Sequence, residues 1–459
     1  MPKAASPSSA FQHVLDETDE EIVGWHWTGS DEFSALDDRR DAPPVPLPPL
    51  DRSTRVVLVR HGQSTWNARN RIQGSSNFSV LTEKGMEQAR AANKLLEGWN
   101  FTRLFHSPLK RAAQTAEIVW GGRPGASSQL ASLREIDLYS FQGLDKIENR
   151  QKYPEQYVTW QSNPAHFIID NHAPVRELWY RASLAWREVL GVGGSSNGSA
   201  SGSGSSAGQA DGATLVVAHN AVNQALLCTA LGLPPAFFRR FSQSNASFTV
   251  LDFEVQGSQE SGRSSGSSSS SAAGSSAGGS STVGGSSAGG LRVRVERVNQ
   301  FPDKPLNPSK LGKSLPNRLV LIAGSTDSPE VQASIQMLQS VGVTSPPLIG
   351  IGSAAQQALD IHTAMQAALS TPGDGRTVVA VACAEACQRM LGDCLGPVDP
   401  SALAEEQRLS AAQVGAAFCM AEGGMTIVNW PQGQSELGRG TVLCVNYQLP
   451  AAGLPLICT

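Results

Sequence analysis

The chain of 459 residues is long enough for two domains. Its formal net charge of −4 argues against a nucleic-acid partner or a strongly basic attachment to a membrane surface. No apolar run approaches the roughly eighteen residues of a spanning helix, and seven cysteines without a paired framework fit a reducing compartment.

Residues 1–50 are expected to form a disordered acidic segment. Positions 1–13 are rich in Ser and Ala and free of acid, which loosely resembles the start of a transit peptide. Positions 16–41 are acidic, which transit peptides are not. Trp25 and Trp27 are candidate anchors onto the folded part. The first element is a strand over 56–59, Val56-Val57-Leu58-Val59, whose β-branched run reads as buried and parallel. It delivers Arg60-His61-Gly62-Gln63-Ser64 to the carboxyl edge of the sheet, where ligands bind in open α/β folds. A guanidinium beside an imidazole suits a phosphorylated ligand, because Arg meets phosphate oxygens in a planar, bidentate way. A helix over 82–98 follows, with Thr82 as its N-cap. Next come a strand over 103–105, the pair Ser107-Pro108 and a helix over 109–120. A helical segment over 175–190, a strand over 214–218 and a helix over 221–231 continue the pattern. Two strand-like runs close it, over 248–255 and 291–298. This alternation predicts an α/β fold, a doubly wound and mostly parallel sheet with helices on both faces.

Two segments dominated by Gly, Ser and Ala, over 191–212 and 256–290, interrupt this region as loop expansions. An internal repeat also emerges. Arg55 to His61 lines up with Arg318 to Gly324. Val216-Val217-Ala218-His219-Asn220 lines up with Ala380-Val381-Ala382-Cys383-Ala384, and Phe248 to Phe253 with Met425 to Trp430. The shared order predicts a catalytic domain over 51–312 and a second, shortened and degenerate copy over 316–459, with Gly324 and Cys383 where the histidines stood. Charge separates the two: residues 51–190 carry 19 Lys+Arg against 13 Asp+Glu, net +6, whereas 318–459 carry 5 against 11, net −6. A phosphate site needs the former.

Phosphate esters hydrolyse very slowly unaided, so an enzyme must supply a rate factor of up to about 10²¹. A histidine nucleophile divides the reaction through a phosphohistidine. Positive groups must meet the phosphoryl oxygens, and a carboxylic acid must protonate the leaving alkoxide and later serve as base toward water. The chain offers His61 as nucleophile and Arg60 beside it, with Gly62 in the same turn. Asn67 lies in the loop leaving the strand. Arg111 stands at a helix start, where the dipole favours an anion. His219 and Asn220 stand where a second apolar strand opens into a helix. Glu135 is the carboxylate in Leu133-Arg134-Glu135-Ile136-Asp137. Each is a weak signal alone; the signal lies in the set.

Arg60-His61-Gly62, the Ser-Pro-x-x-Arg pattern at 107–111 and Ala218-His219-Asn220 resemble the histidine phosphatase (phosphoglycerate mutase-like) superfamily over about residues 54–255. The resemblance implies a doubly wound α/β domain, with His61 as the phosphorylated nucleophile and Glu135 as proton donor and acceptor. It also implies a phosphate pocket of Arg60, Asn67, Arg111 and His219. Flanking words, among them Gln63-Ser64-Thr65-Trp66-Asn67, Arg134 to Gly143 and Pro174 to Trp179, resemble a chloroplast family of plant phosphatases. That family acts on Rubisco-inhibiting sugar phosphates such as 2-carboxy-D-arabinitol 1-phosphate and carries a degenerate second half.

Trp66, Tyr139, Phe141 and Trp179 are candidates to line a substrate mouth, though most of them fit core packing better. Arg134, Arg176 and Arg181 are candidate contacts to a substrate carboxylate or second phosphate, weighed against ordinary pairing with Asp or Glu. Cys383, Cys387 and Cys394 fit an apolar helix face better than a metal or redox site. The expectation is therefore a metal-independent, cofactor-free phosphatase for a small phosphorylated sugar or sugar acid, with no nucleic-acid or membrane partner. Its location, taken from the resemblance, is the chloroplast stroma, with the cytoplasm as alternative. A mutase or fructose-2,6-bisphosphatase-type activity, or a pseudophosphatase scaffold, are the competing readings. Nothing in the sequence sets an oligomeric state.

Overall fold

A computed structural model describes residues 40–191, 212–255, 290–301, 317–343, 345–371, 375–396, 410–430, 434 and 436–448. Trp25, Trp27, nearly all of the two Gly/Ser-rich segments and the junction at 312–316 lie outside the described residues. β1 (Thr54–Arg60) sits at the centre of the N-terminal half. Val56 and Leu58 enter one core and Val57 and Val59 another, which is why the run carries no polar residue. β1 is parallel to β4 (Ala213–Ala218), which is parallel to β2 (Phe101–His106), with β3 (Ala126–Gln129) at the edge. On its other side β1 runs antiparallel to β5 (Phe248–Val255), which pairs with β6 (Leu291–Gln300). Helices α1 (Glu83–Leu95) and α2 (Lys110–Trp120) cover one face, α3 (Pro174–Val189) and α4 (Asn220–Ala230) the other. The Thr82 side chain caps α1 by accepting from the Gly85 N–H, as expected.

The C-terminal half has the same plan. β7 (Asn317–Ala323) is parallel to β9 (Thr377–Ala382), and β9 to β8 (Leu348–Ile349). β7 runs antiparallel to β10 (Met425–Trp430), and β10 to β11 (Thr441–Tyr447). Helix α5 (Pro329–Ser340) packs on one face, and α6 (Ala354–Ser370) and α7 (Ala384–Leu395) on the other. Shorter helices at Thr65–Ala68, Lys146–Lys152, Pro154–Ser162 and Ala411–Ala416 fill the connections. Among the described residues no helix is long and apolar enough to cross a membrane.

β6 and β11 adjoin, and the described strands form one eleven-stranded sheet in the order β3-β2-β4-β1-β5-β6-β11-β10-β7-β9-β8. Read inward from each edge, β2-β4-β1-β5-β6 matches β8-β9-β7-β10-β11 in chain order and in the direction of every pair; β3 has no counterpart among the described residues. Register agrees too. Arg60 faces Ala218 as Ala323 faces Ala382, and Val59 faces Phe248 as Ile322 faces Met425. The three sequence matches thus fall on equivalent positions. The sheet is α/β and parallel toward both ends, with an antiparallel block, β5-β6-β11-β10, at the seam.

Residues 40–50, inside the segment expected to be disordered, run along α3 without regular structure. Asp41 pairs with Arg176 at 2.8 Å, the Val45 N–H donates to Ser183 Oγ, and Leu47 and Leu50 pack on the core.

Candidate active site

β1 and β4 are parallel and in register at Arg60 and Ala218, so the residues that follow, His61 and His219, leave the same edge side by side. Their buried rings meet edge to face with centroids 5.1 Å apart. His61 Nδ1 lies 2.6 Å from the Gly62 carbonyl oxygen. A carbonyl only accepts, so Nδ1 carries the proton and Nε2 keeps its lone pair. The Gly62 N–H donates to Thr115 Oγ1. Both backbone groups of Gly62, expected at the substrate, are thereby engaged with the protein, and they orient His61. A Cβ at Gly62 would stand 2.2 Å from the Gly85 carbonyl oxygen, so the close approach of α1 requires glycine here.

His219 Nε2 lies 2.7 Å from Ser107 Oγ, just past the end of β2. Its Nδ1 is buried without a protein partner among the described residues. The two arginines are anchored in one manner. Arg60 Nη1 donates to the Gln243 carbonyl at 2.6 Å. Arg111 Nη1 and Nη2 donate to the carbonyls of Ser76 and Gly74 at 2.7 and 2.8 Å. In each case Nε is buried with no partner among the described residues. Orphaned buried donors cost free energy until something accepts from them, and the two guanidinium Nε groups, on arginines whose charges bear on His61, give the cluster the makings of a receptor for an oxyanion.

Electrostatics agree. Burial, then the charges of Arg111 and Arg60, hold His61 well below the ordinary imidazole value. The same causes, with contributions from His61 and Arg181, hold His219 down. Burial pulls Arg60 and Arg111 down to about 10, opposed by the carboxylate of Glu135. That carboxylate sits on the N-terminus of α4, accepting from the N–H groups of Ala221 and Val222 at 3.1 and 3.2 Å, and from Ile136 at 2.9 Å. Arg181 reaches from α3 to the carbonyls of Arg134 and Glu135 at 2.9 and 2.8 Å, so it holds the Glu135 backbone from the core side. Asn67 accepts from the Ser64 N–H and from Asn245 Nδ2, which leaves its amide nitrogen as the end available to a ligand. Asn220 opens α4, and its Oδ1 accepts from Gln224.

Of the other residues weighed, Trp66, Tyr139, Phe141 and Trp179 are buried in the core. Arg134 pairs with Asp137 and Arg176 with Asp41. Cys383 stands at the N-cap of α7; Cys387 and Cys394 are buried, and burial pushes the Cys387 thiol up to about 12. Sequence reasoning missed the segment 242–247, whose Asn245 donates to the His61 carbonyl, and gave Ser107 no role of its own. In the C-terminal half, Gly324 occupies the His61 position. A Cβ there would stand 2.3 Å from Glu422 Oε1, so a carboxylate fills the place where the N-terminal half offers its imidazole.

Two buried histidines and two arginines, with a carboxylate on the adjoining helix terminus, form a cluster whose chemistry suits an oxyanion. Comparison with known proteins agrees. The family model "Histidine phosphatase superfamily (branch 1)" matches residues 56–262. A 2-carboxy-D-arabinitol-1-phosphatase of Triticum aestivum is 42% identical over 308 residues, 67% of this chain and 52% of the relative. A probable 2-carboxy-D-arabinitol-1-phosphatase of Arabidopsis thaliana is 52% identical over 204 residues, 44% of this chain and 39% of the relative. A probable phosphoglycerate mutase GpmB of Cronobacter sakazakii is 30% identical over 208 residues, 45% of this chain and 89% of the relative. The chain belongs to the histidine phosphatase superfamily. The matches span about half or less of the length of the two plant relatives.

Proposed function

We propose that the chain hydrolyses the phosphomonoester of a sugar or sugar acid through phospho-His61. The observation that carries this reading is the set of buried polar atoms without a partner among the described residues, the donors Arg60 Nε and Arg111 Nε and the ring nitrogen His219 Nδ1, together with an imidazole whose Nε2 lone pair is free. His61 Nε2 attacks phosphorus and the ester P–O bond breaks. The two guanidiniums and His219 meet the charge on the phosphoryl oxygens. Glu135 gives a proton to the departing alkoxide and then takes one from the water that cleaves the phosphohistidine. The identity to plant relatives named 2-carboxy-D-arabinitol-1-phosphatase supports that sugar-acid phosphate, or related Rubisco inhibitors, as substrate and the chloroplast stroma as location. The matched strand order supports reading the C-terminal half as a degenerate copy, its nucleophile replaced by Gly324 and its pocket filled by Glu422.

The test is a panel of phosphorylated metabolites that includes 2-carboxy-D-arabinitol 1-phosphate, sugar bisphosphates and 3-phosphoglycerate, scored for release of inorganic phosphate. The expected result is release from a sugar-acid phosphate, with an acid-labile phosphoenzyme that His61→Ala abolishes. Turnover retained in His61→Ala overturns the mechanism. Isomerised product without phosphate release points to a mutase instead.

A further inference from the structure

The segment between α4 and β5 belongs to the N-terminal half by sequence, yet it is bonded to the C-terminal half. The partly buried Arg240 donates through Nε to the Gly440 carbonyl at 2.9 Å. Its Nη2 lies 2.7, 2.9 and 3.2 Å from the carbonyls of Gly438, Leu395 and Cys394. Leu395 ends α7, so the guanidinium satisfies carbonyls that a helix terminus leaves open and places a cation at the negative end of its dipole. Beside it the backbone joins β11: the Val442 N–H donates to the Arg240 carbonyl at 2.7 Å, and the Ser242 N–H donates to the Val442 carbonyl at 2.8 Å. Phe241 stacks on Phe418 with centroids 5.8 Å apart. Asn299 of β6 adds a second tie, accepting from the Ser244 N–H at 2.6 Å and donating to the Leu443 carbonyl at 2.7 Å.

Within the next few residues the same segment enters the pocket. The Gln243 carbonyl anchors Arg60 Nη1. Asn245 donates to the His61 carbonyl and to Asn67 Oδ1. The Ala246 N–H donates to the His61 carbonyl, and the Ser247 carbonyl accepts from the Arg60 N–H. Residues 240–247 are thus a short ribbon, with α7 and β11 at one end and the nucleophile and its arginine at the other.

We propose that Arg240 is a positioning residue: docked on the C-terminal half, it sets the ribbon that aims Arg60 and His61 at a phosphoryl group. The C-terminal half is then a brace for the anion pocket. This rests on the reading that the His61 pocket receives a phosphoryl group. A guanidinium held from behind by one ribbon carbonyl turns its Nε when the ribbon shifts, and a misplacement of about 1 Å costs up to about 10²-fold in a reacting site.

The test titrates the full chain with orthovanadate, a phosphate mimic, at equilibrium. Arg240→Met and Asn299→Ala each cut one tie. Each is expected to raise the vanadate Kd about tenfold while circular dichroism shows the fold intact. Arg240→Lys, which keeps a cation at the α7 terminus, is expected to recover part of the loss. A merely structural role lowers the number of binding sites per chain and leaves Kd alone, since Kd belongs to the folded molecules. An unchanged Kd in the variants, with vanadate bound by the unsubstituted chain, overturns the proposal alone. If Arg240→Met does not fold, Asn299→Ala and Arg240→Lys decide by the same criterion. Failure of the unsubstituted chain to bind vanadate overturns the reading of the pocket and this proposal with it.

Discussion

His61 and His219 are kept neutral by burial and by two neighbouring guanidiniums, and this links the pocket to stability. In the unfolded chain both imidazoles take up a proton as pH falls through their ordinary value of 6.5. The folded chain does not do so until a lower pH. Below 6.5 the unfolded state therefore binds more protons, and stability declines with falling pH until the folded histidines also titrate. Above 6.5 neither state binds these protons and the contribution is flat. Thermal melts of the ligand-free chain are expected to show Tm falling from about pH 6.5 to about pH 5, with a shallower fall in His219→Gln. Identical slopes in the two proteins would refute the linkage. The residue types of the pocket were legible in the sequence, because imidazole, guanidinium and carboxylate announce their chemistry. The anchors were not. Arg60 and Arg111 are held by the carbonyls of Gln243, Gly74 and Ser76, and every residue carries a carbonyl, so no side chain marks which ones serve.

Among the elements, the contact between β1 and α1 sets the His61 turn. Gly62 and Gly85 face each other so closely that a Cβ on either meets backbone at 2.2 or 2.0 Å. Gly62→Ala is expected to destabilise the chain by about 1–3 kcal/mol through overpacking and to depress phosphate release by displacing His61. A denaturation midpoint equal to that of the unsubstituted chain would exclude the first effect. β1, β4 and β7 could be read from sequence because burial on both faces demands unbroken apolar runs. β3 could not: Ala126–Gln129 is exposed throughout and is held by backbone pairing to β2. β8 is two residues long, too short for any periodicity.

Across the whole molecule, one apolar cluster runs through both halves, joining Val56 and Leu58 to Leu319 and Leu321 on the same side of the sheet. The seam adds backbone bonds: Val295 of β6 donates to Ala417 and accepts from Cys419. Calorimetry is accordingly expected to show a single unfolding transition; two resolved transitions would show that the halves unfold independently. The repeat in the sequence indicated two like units but not how they meet, because pairing between β6 and β11 joins residues about 150 positions apart and leaves no local pattern.

That seam also decides what the sheet leaves open. Cut apart, each half would present the outer rim of β6 or β11, a row of unpaired N–H and C=O groups that invites a strand from another chain. Joined, the described sheet ends only at β3, which is short and polar, and at β8, which is two residues long. Each half thereby guards the other against edge-to-edge aggregation.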